Sequence, residues 1–241
     1  MVAQAIDSAL HQGVGGLEVI VVDDDSDDNT AAVLTSFGER IRTLRLPRSQ
    51  GVAHARNRAI ALARGRWLAF LDSDDLWLPG KLAAQLAVVD KDDSIALCFC
   101  DYAVDDATPE GQWRESMICG RRPGPRDFAA LFRRNFIGTL TVLLRRECCL
   151  GVGGFDETLH RGSDYDLWLR VAAAYPIHRL PGVYARYRRH ADSLTGLDSQ
   201  RDIETWADIT ASWIARDPQL LARIGWAEQD WRASSNALAE A

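Results

Sequence analysis

Short apolar runs alternate with amphipathic stretches over roughly the first hundred residues, and the alternation predicts the architecture. In "MVAQAIDSALHQG", Val2, Ile6, Ala9 and Leu10 share one helical face, and Gly13 ends the pattern. "LEVIVV" (17–22) has strand length and runs into Asp23, Asp24 and Asp25. A helix with Val33, Leu34, Phe37 and Ile41 as its stripe follows, and "IRTLRL" (41–46) alternates as a strand. "VAHARNRAIALAR" predicts a helix that buries Ala55, Ala59 and Leu62 and stops at Gly65. The run from Trp67 to Leu71 is the next strand, and it meets Asp72, Asp74 and Asp75 at once. Pro79 suits the first turn of a helix carrying Leu82, Leu86 and Val89, and "SIALCFCD" closes the half as a strand. Apolar strands alternating with helices predict an α/β fold, a doubly wound, mostly parallel sheet flanked by helices.

The pattern changes in the second half. Residues 101–126 are polar and rich in Pro and Gly, and read as a loop excursion. A short helix at 127–134, a strand at 139–144, a turn at "GVGGFDE", a helix at "DYDLWLRVAAAY" and a strand at "GVYARYRRH" come next. From Leu197 onward the pattern is helical, with Trp206 and Trp213 on one face and Trp226 and Trp231 beyond; packing of this tail onto the body is the simplest use for them, and a partner or membrane contact the other. The expected division is therefore 1–101, 102–196 as the second half of the same domain, and 197–241 as a helical tail.

Composition narrows the function classes. A net charge of −6 gives no bulk positive field to attract nucleic acid. No apolar run approaches the roughly 20 residues that span a bilayer, and the opening residues lack the basic start and apolar core of a signal peptide. Five cysteines do not form an even disulfide framework. Cys98 and Cys100, two apart in a strand, read as buried thiols, since no second ligand pair lies at metal spacing; Cys148 and Cys149 read the same way. The expectation is a cytoplasmic protein in a reducing compartment.

Ligands of open parallel sheets bind at the carboxyl ends of the strands, and two strands here end in acids. Crowded carboxylates repel one another, and a hard cation with oxygen ligands relieves that cost. Asp25, Asp27 and Asp28 read more simply as caps of the following helix. Asp72 and Asp74 do not, because the next helix starts well beyond them and needs no second cap.

These residues carry a resemblance. "EVIVVDDDSDDNT", "GVAHARNRAIALARGRWLAFLDSDDLWLPGKL", "GGFDETLHRGSDYDLWLRVA" and "YRRHADSLT" resemble, in order and spacing, the landmarks of glycosyltransferase family 2, the inverting nucleotide-sugar transferases of GT-A fold. The resemblance covers roughly residues 1 to 195. It implies a GT-A sheet and a nucleoside-diphosphate sugar donor, with uridine or thymidine diphosphate the common choice. It also implies a divalent metal, Mn2+ or Mg2+, and a glycan or lipid-linked acceptor. Asp24 would contact the base, with Asp23 supporting its loop; Asp25 stands where the family has glycine. Arg56 would face the nucleotide, or else be a solvated helix arginine. Asp72 and Asp74 match the D-x-D signature, Asp74 ligating the metal and Asp72 touching ribose or metal. His190 would lie beside the metal or the diphosphate, or else be structural. Asp164 matches the catalytic base, with Ser163 replacing the usual preceding Glu; its simpler role is a helix cap. Together Asp24, Asp72 and Asp74 are expected to converge on one ion, with Asp164 across a cleft.

The resemblance also implies a first strand between 17–22 and 67–72 that this sequence does not show, leaving a gap of about 9 to 10 Å. An upstream segment, closure of the flanking strands, or a partner could fill it. Two other functions compete. "LAFLDSDDLW" imitates a haloacid dehalogenase phosphatase with Asp72 as nucleophile, although Asp75 and Leu76 depart from that motif. A decayed, non-catalytic nucleotide-binding relative is the other. Arg121, Arg122, Arg126, Arg133, Arg134, Arg145 and Arg146 could meet a lipid diphosphate or the inner membrane face as a peripheral contact, or form solvated pairs.

Overall fold

The computed structural model describes residues 1–107, 112–119, 127–190 and 199–239. In chain order the elements are α1 (Val2–Leu10), β1 (Ile20–Asp23), α2 (Thr30–Ser36), a 3-10 turn (Gly38–Arg40), β2 (Arg42–Arg45), α3 (Val52–Leu62), β3 (Trp67–Ala69), β4 (Leu76–Trp77), α4 (Lys81–Val89) and β5 (Leu97–Ala107). They continue with β6 (Trp113–Cys119), α5 (Phe128–Arg133), a 3-10 turn (Thr139–Thr141), β7 (Leu143–Arg145), α6 (Arg146–Gly151), α7 (Ser163–Ala174), β8 (Ile177–Arg189), α8 (Ser199–Arg216), α9 (Leu220–Arg223) and α10 (Glu228–Ala239). The chain divides into two compact units, Met1–Arg188 and Arg189–Ala241. Arg121, Arg122, Arg126 and the expected boundary at 196 lie outside the described residues.

In the first unit β1 and β2 run parallel, Ile20 opposite Arg42 through Asp23 opposite Arg45. The second sheet has the order β3-β7-β5-β8-β4, with β6 on β5. Its pairs β3–β7, β5–β7, β5–β6 and β4–β8 are antiparallel. The α/β architecture is as the sequence predicts, but the sheet is mixed. Helical crossovers make neighbours parallel, and β7 and β8 from the second half enter in the opposite sense. Residues 101–126 are not simply a loop: β5 runs on to Ala107, and Trp113–Cys119 folds back on it, Tyr102 opposite Cys119.

Among the described residues no ladder joins β1 to β3, so each keeps a single strand neighbour. Side chains tie the two sheets instead. Glu18, just before β1, accepts the N–H of Arg64 and of Gly65 at 2.6 and 3.0 Å and pairs with Arg42 at 2.8 Å. Helix α1 reaches over to β4: Trp77 N–H donates to Ser8 Oγ, and Gln12 Nε2 donates to the carbonyl of Leu78.

Trp77, Leu82, Val89, Ile95, Cys98, Leu140, Leu143 and Ala185 form one core cluster. Cys98, Cys100, Cys148 and Cys149 are buried free thiols, as expected. Helix α3 turns a different face inward from the one predicted: Ala53 and Ile60 are buried, and Arg56 and Asn57 lie between them, half-buried and facing their partners. Pro79 precedes α4 rather than opening it, because Gly80, in the left-handed region at φ 82°, is the cap. In the second unit the Trp206 ring on α8 lies 6.4 Å from that of Trp226 in the link before α10, and Trp231 Nε1 on α10 donates to Thr210 Oγ1 on α8.

Candidate active site

The site grows from the turn that follows β3. Asp75 N–H donates to the Asp72 carbonyl at 3.2 Å, folding the four residues Asp72–Asp75 back on themselves. Arg56, on the inward face of α3, places Nη2 at 2.7 and 3.0 Å from the two oxygens of Asp72. Its guanidinium also lies over the Phe155 ring, 5.4 Å from the centroid. Burial opposes its charge, but Asp72, Asp164 and Asp75 outweigh burial and hold Arg56 above the ordinary arginine value. One cation therefore answers acids from both halves of the domain.

Asp75 is almost wholly buried, and its Oδ1 accepts the Arg188 N–H at 2.9 Å. Burial, then the negative charge of Asp72 and of Asp74, pushes its carboxyl up to about 8. Asp74 is half-buried beside it. The Arg188 guanidinium, pushed down by burial against the pull of Asp105, Asp75 and Asp74, stacks 5.0 Å from the Trp113 centroid and donates to Gln4 Oε1.

Asp164 stands in the first turn of α7, capped by Gly162 at φ 68°, so the helix-cap role falls to the glycine. Asp164 Oδ2 accepts the Thr139 hydroxyl at 2.8 Å, and Oδ1 accepts the Tyr165 N–H at 2.8 Å. The preceding loop is locked to α3 by Asn57, which bonds both the N–H and the carbonyl of Phe155, and by His54 paired with Glu157 at 2.8 Å.

The acids after β1 behave differently from those after β3. Asp24 is engaged by the loop before α3: it accepts Ser49 Oγ, Gln50 N–H and Gly51 N–H, each at 2.8 Å. Partial burial works against its charge, but these donors hold its carboxyl below the usual range. Asp23 is buried; its Oδ1 accepts the Ser26 N–H, and Arg45 lies 3.7 Å from Oδ2. Asp25 takes φ 65°, the left-handed region that a glycine adopts without strain.

Of the three acids expected to converge on one ion, Asp24 turns to residues 49–51 and Asp72 to Arg56. Among the described residues no group of three or more His, Cys, Asp or Glu side chains forms a metal cage. The donor set still fits a cation that takes only one or two protein carboxylates and completes its shell with phosphate oxygens, as Mg2+ and Mn2+ do. His190 falls in the second unit, and the site above belongs to the first. Thr139 and Asn57 carry no signal in the sequence, Thr139 lying in an apolar run with no motif around it, and Asp75 stands there only as a member of the acid cluster after the strand.

The α/β mixed sheet flanked by helices is a GT-A-type fold, as its solved structural neighbours show. The sequence model described as Glycosyl transferase family 2 matches residues 1–147. The Escherichia coli "UDP-Glc:alpha-D-GlcNAc-diphosphoundecaprenol beta-1,3-glucosyltransferase WfgD" is 33% identical over 173 residues, covering 70% of this chain and 64% of that protein. Among solved structures, S. aureus TarS 1-349 in complex with UDP-GlcNAc superposes with a TM-score of 0.67 at 17% identity, over 92% of this chain and 67% of that one. The mannosyltransferase PcManGT from Pyrobaculum calidifontis, in complex with GDP-Man and Mn2+, gives 0.67 at 21% identity, over 98% and 69%. The chain belongs to glycosyltransferase family 2. It spans under two thirds of the E. coli relative's length. The phosphatase alternative has no place in this family.

Proposed function

We propose that the protein transfers a sugar from a nucleoside diphosphate, of uridine or thymidine, to a hydroxyl of a lipid-linked glycan, with inversion at the anomeric carbon. The observation that carries the reading is the Arg56 guanidinium, bonded to Asp72 and within electrostatic reach of Asp164. Acids of the D-x-D turn and the candidate base thus border one space. The Asp164 carboxylate takes the acceptor's proton while that oxygen bonds the anomeric carbon. The bond from that carbon to the diphosphate oxygen breaks, and its electrons leave with the nucleoside diphosphate. A positioned base of this kind contributes about 10²- to 10⁴-fold. Asp74 and the donor's phosphate oxygens would hold Mn2+ or Mg2+, which when bound neutralises charge on the leaving diphosphate. Asp23 and Asp24 shape the loop beside the nucleotide, and Arg56 holds Asp72 toward it. The diphosphoundecaprenol-linked substrate in the E. coli relative's name supports the acceptor class, and a lipid-linked acceptor would bring the work to the cytoplasmic membrane face. Among the described residues no helix is long and apolar enough to cross a membrane.

Thermal shifts with UDP, dTDP and GDP, each with and without Mn2+, test the donor. One nucleotide should stabilise the protein only with metal, and Asp74→Ala should remove that dependence. Asp164→Asn should keep nucleotide binding and stop turnover; undiminished turnover in Asp164→Asn refutes the base assignment.

A further inference from the structure

Both oxygens of Asp164 are held. One donor comes from its own helix, the Tyr165 N–H, and the other is the hydroxyl of Thr139, 2.8 Å from Oδ2. Thr139 opens the 3-10 turn Thr139–Thr141, and it is buried. The turn is itself gripped from the opposite side. Trp77 Nε1 donates to the Leu140 carbonyl at 2.8 Å, Gln85 Nε2 to the Thr141 carbonyl at 2.8 Å, and Lys81 Nζ to the Val142 carbonyl at 3.4 Å. Three consecutive carbonyls are thus bonded by three side chains of the segment that directly follows the Asp72–Asp75 turn. Lys81 and Gln85 are fully buried and bond each other at 2.8 Å, so neither has water as an alternative partner. Gly138 keeps the entry to the turn close: a Cβ there would stand 3.1 Å from Leu140 and from the Tyr102 ring.

We infer that Thr139 is the positioning residue of Asp164: its hydroxyl sets the carboxylate plane, and Trp77, Gln85 and Lys81 hold that hydroxyl in register with the D-x-D turn. The inference rests on Asp164 being the base of the proposed reaction. A base must lie within hydrogen-bond reach of the proton it takes, and a carboxylate free to rotate about Cβ–Cγ spends part of its time out of reach. Misplacement by about 1 Å can lower a rate about 100-fold. Holding the base and the donor turn on one buried bracket keeps their separation fixed.

The test uses the full chain and follows UDP release from UDP-glucose, with a lipid diphosphate-linked N-acetylglucosamine as acceptor. Thr139→Val should lower kcat about 10-fold or more while the donor KM stays within about twofold, since the donor's own contacts are untouched. Thr139→Ser, which keeps the hydroxyl and loses the methyl, should restore most of kcat. A thermal shift confirms that each variant is folded. Thr139→Val turning over like the native protein, while Asp164→Asn is dead, overturns the role of Thr139 and leaves the base standing. Equal loss in Thr139→Ser and Thr139→Val overturns it too, because the hydroxyl would then not matter. Full turnover in Asp164→Asn removes the underlying reading instead.

Discussion

A single nitrogen of Arg56 bridges both oxygens of Asp72, at 2.7 and 3.0 Å. The arginine is the better covered partner, with its side chain 14% exposed against 40% for Asp72. With Asp74 and Asp75 alongside, Arg56 supplies positive charge that a divalent ion would otherwise bring. Arg56→Met should therefore lower stability by about 1 kcal/mol, the scale of a partly solvated pair, or about 2 to 4 °C for a domain of this size. Mn2+ with nucleoside diphosphate should recover more of that loss in the variant than it adds to the native protein. Identical Mn2+-dependent shifts in differential scanning fluorimetry would show that the two cations do not substitute for each other.

Lys81 gives a pH dependence whose sign is fixed. Burial pushes its ammonium down to about 8, against a weaker opposing pull from Cys100 and Cys98, and its Nζ sits 4.5 Å from the Trp77 ring centroid. In the unfolded chain a lysine titrates at about 10.4. Between these values the unfolded state binds more protons, so this group makes stability rise with pH from about 8 to about 10.4. Below about 8 both states are protonated and the cost of burying the charge is present in full. Lys81→Met should lose the rise, on the order of 3 kcal/mol across the window. Urea denaturation of both proteins at pH 7, 8, 9 and 10 measures it; parallel curves would exclude Lys81 as the source.

Asp25 is the one non-glycine residue at positive φ among the described residues. Aspartate tolerates the left-handed region better than most side chains, and a β-branched one does not. Asp25→Gly should leave stability unchanged or raise it slightly, the exposed contact to Arg45 at 3.4 Å counting for little. Asp25→Val should cost about 1 to 3 kcal/mol. Chemical denaturation of the pair reads the difference, and a harmless valine would mean that the loop relaxes out of this conformation.

The first half of the fold was legible because a doubly wound pattern is written locally, as apolar runs punctuated by acids, glycine and amphipathic helices. The strand ends at Asp23 and Asp72 showed where a polar site could lie. Strand direction was not legible: nothing within "TVLLRR" says that β7 lies antiparallel between β3 and β5. The strand Trp113–Cys119 was hidden because it is largely exposed, mixes apolar with charged residues without alternation, and lies between stretches rich in Pro and Gly. Lys81 and Gln85, four apart on α4, are polar side chains whose burial only the carbonyls of Thr141 and Val142 explain. Arg56 and Asn57 face inward on α3 for the same reason: their partners lie far along the chain, and period alone cannot show them.

The division between the ribbon β1–β2 and the larger sheet has a dynamic consequence. Backbone ladders open together, whereas contacts such as Glu18 with Gly65 or Ser8 with Trp77 each part singly. The ribbon can therefore detach as its own foldon without melting β5 or β7. In deuterium labelling, amides of Ile20–Asp23 and Arg42–Arg45 should exchange through this smaller opening while the interior of the main sheet stays protected.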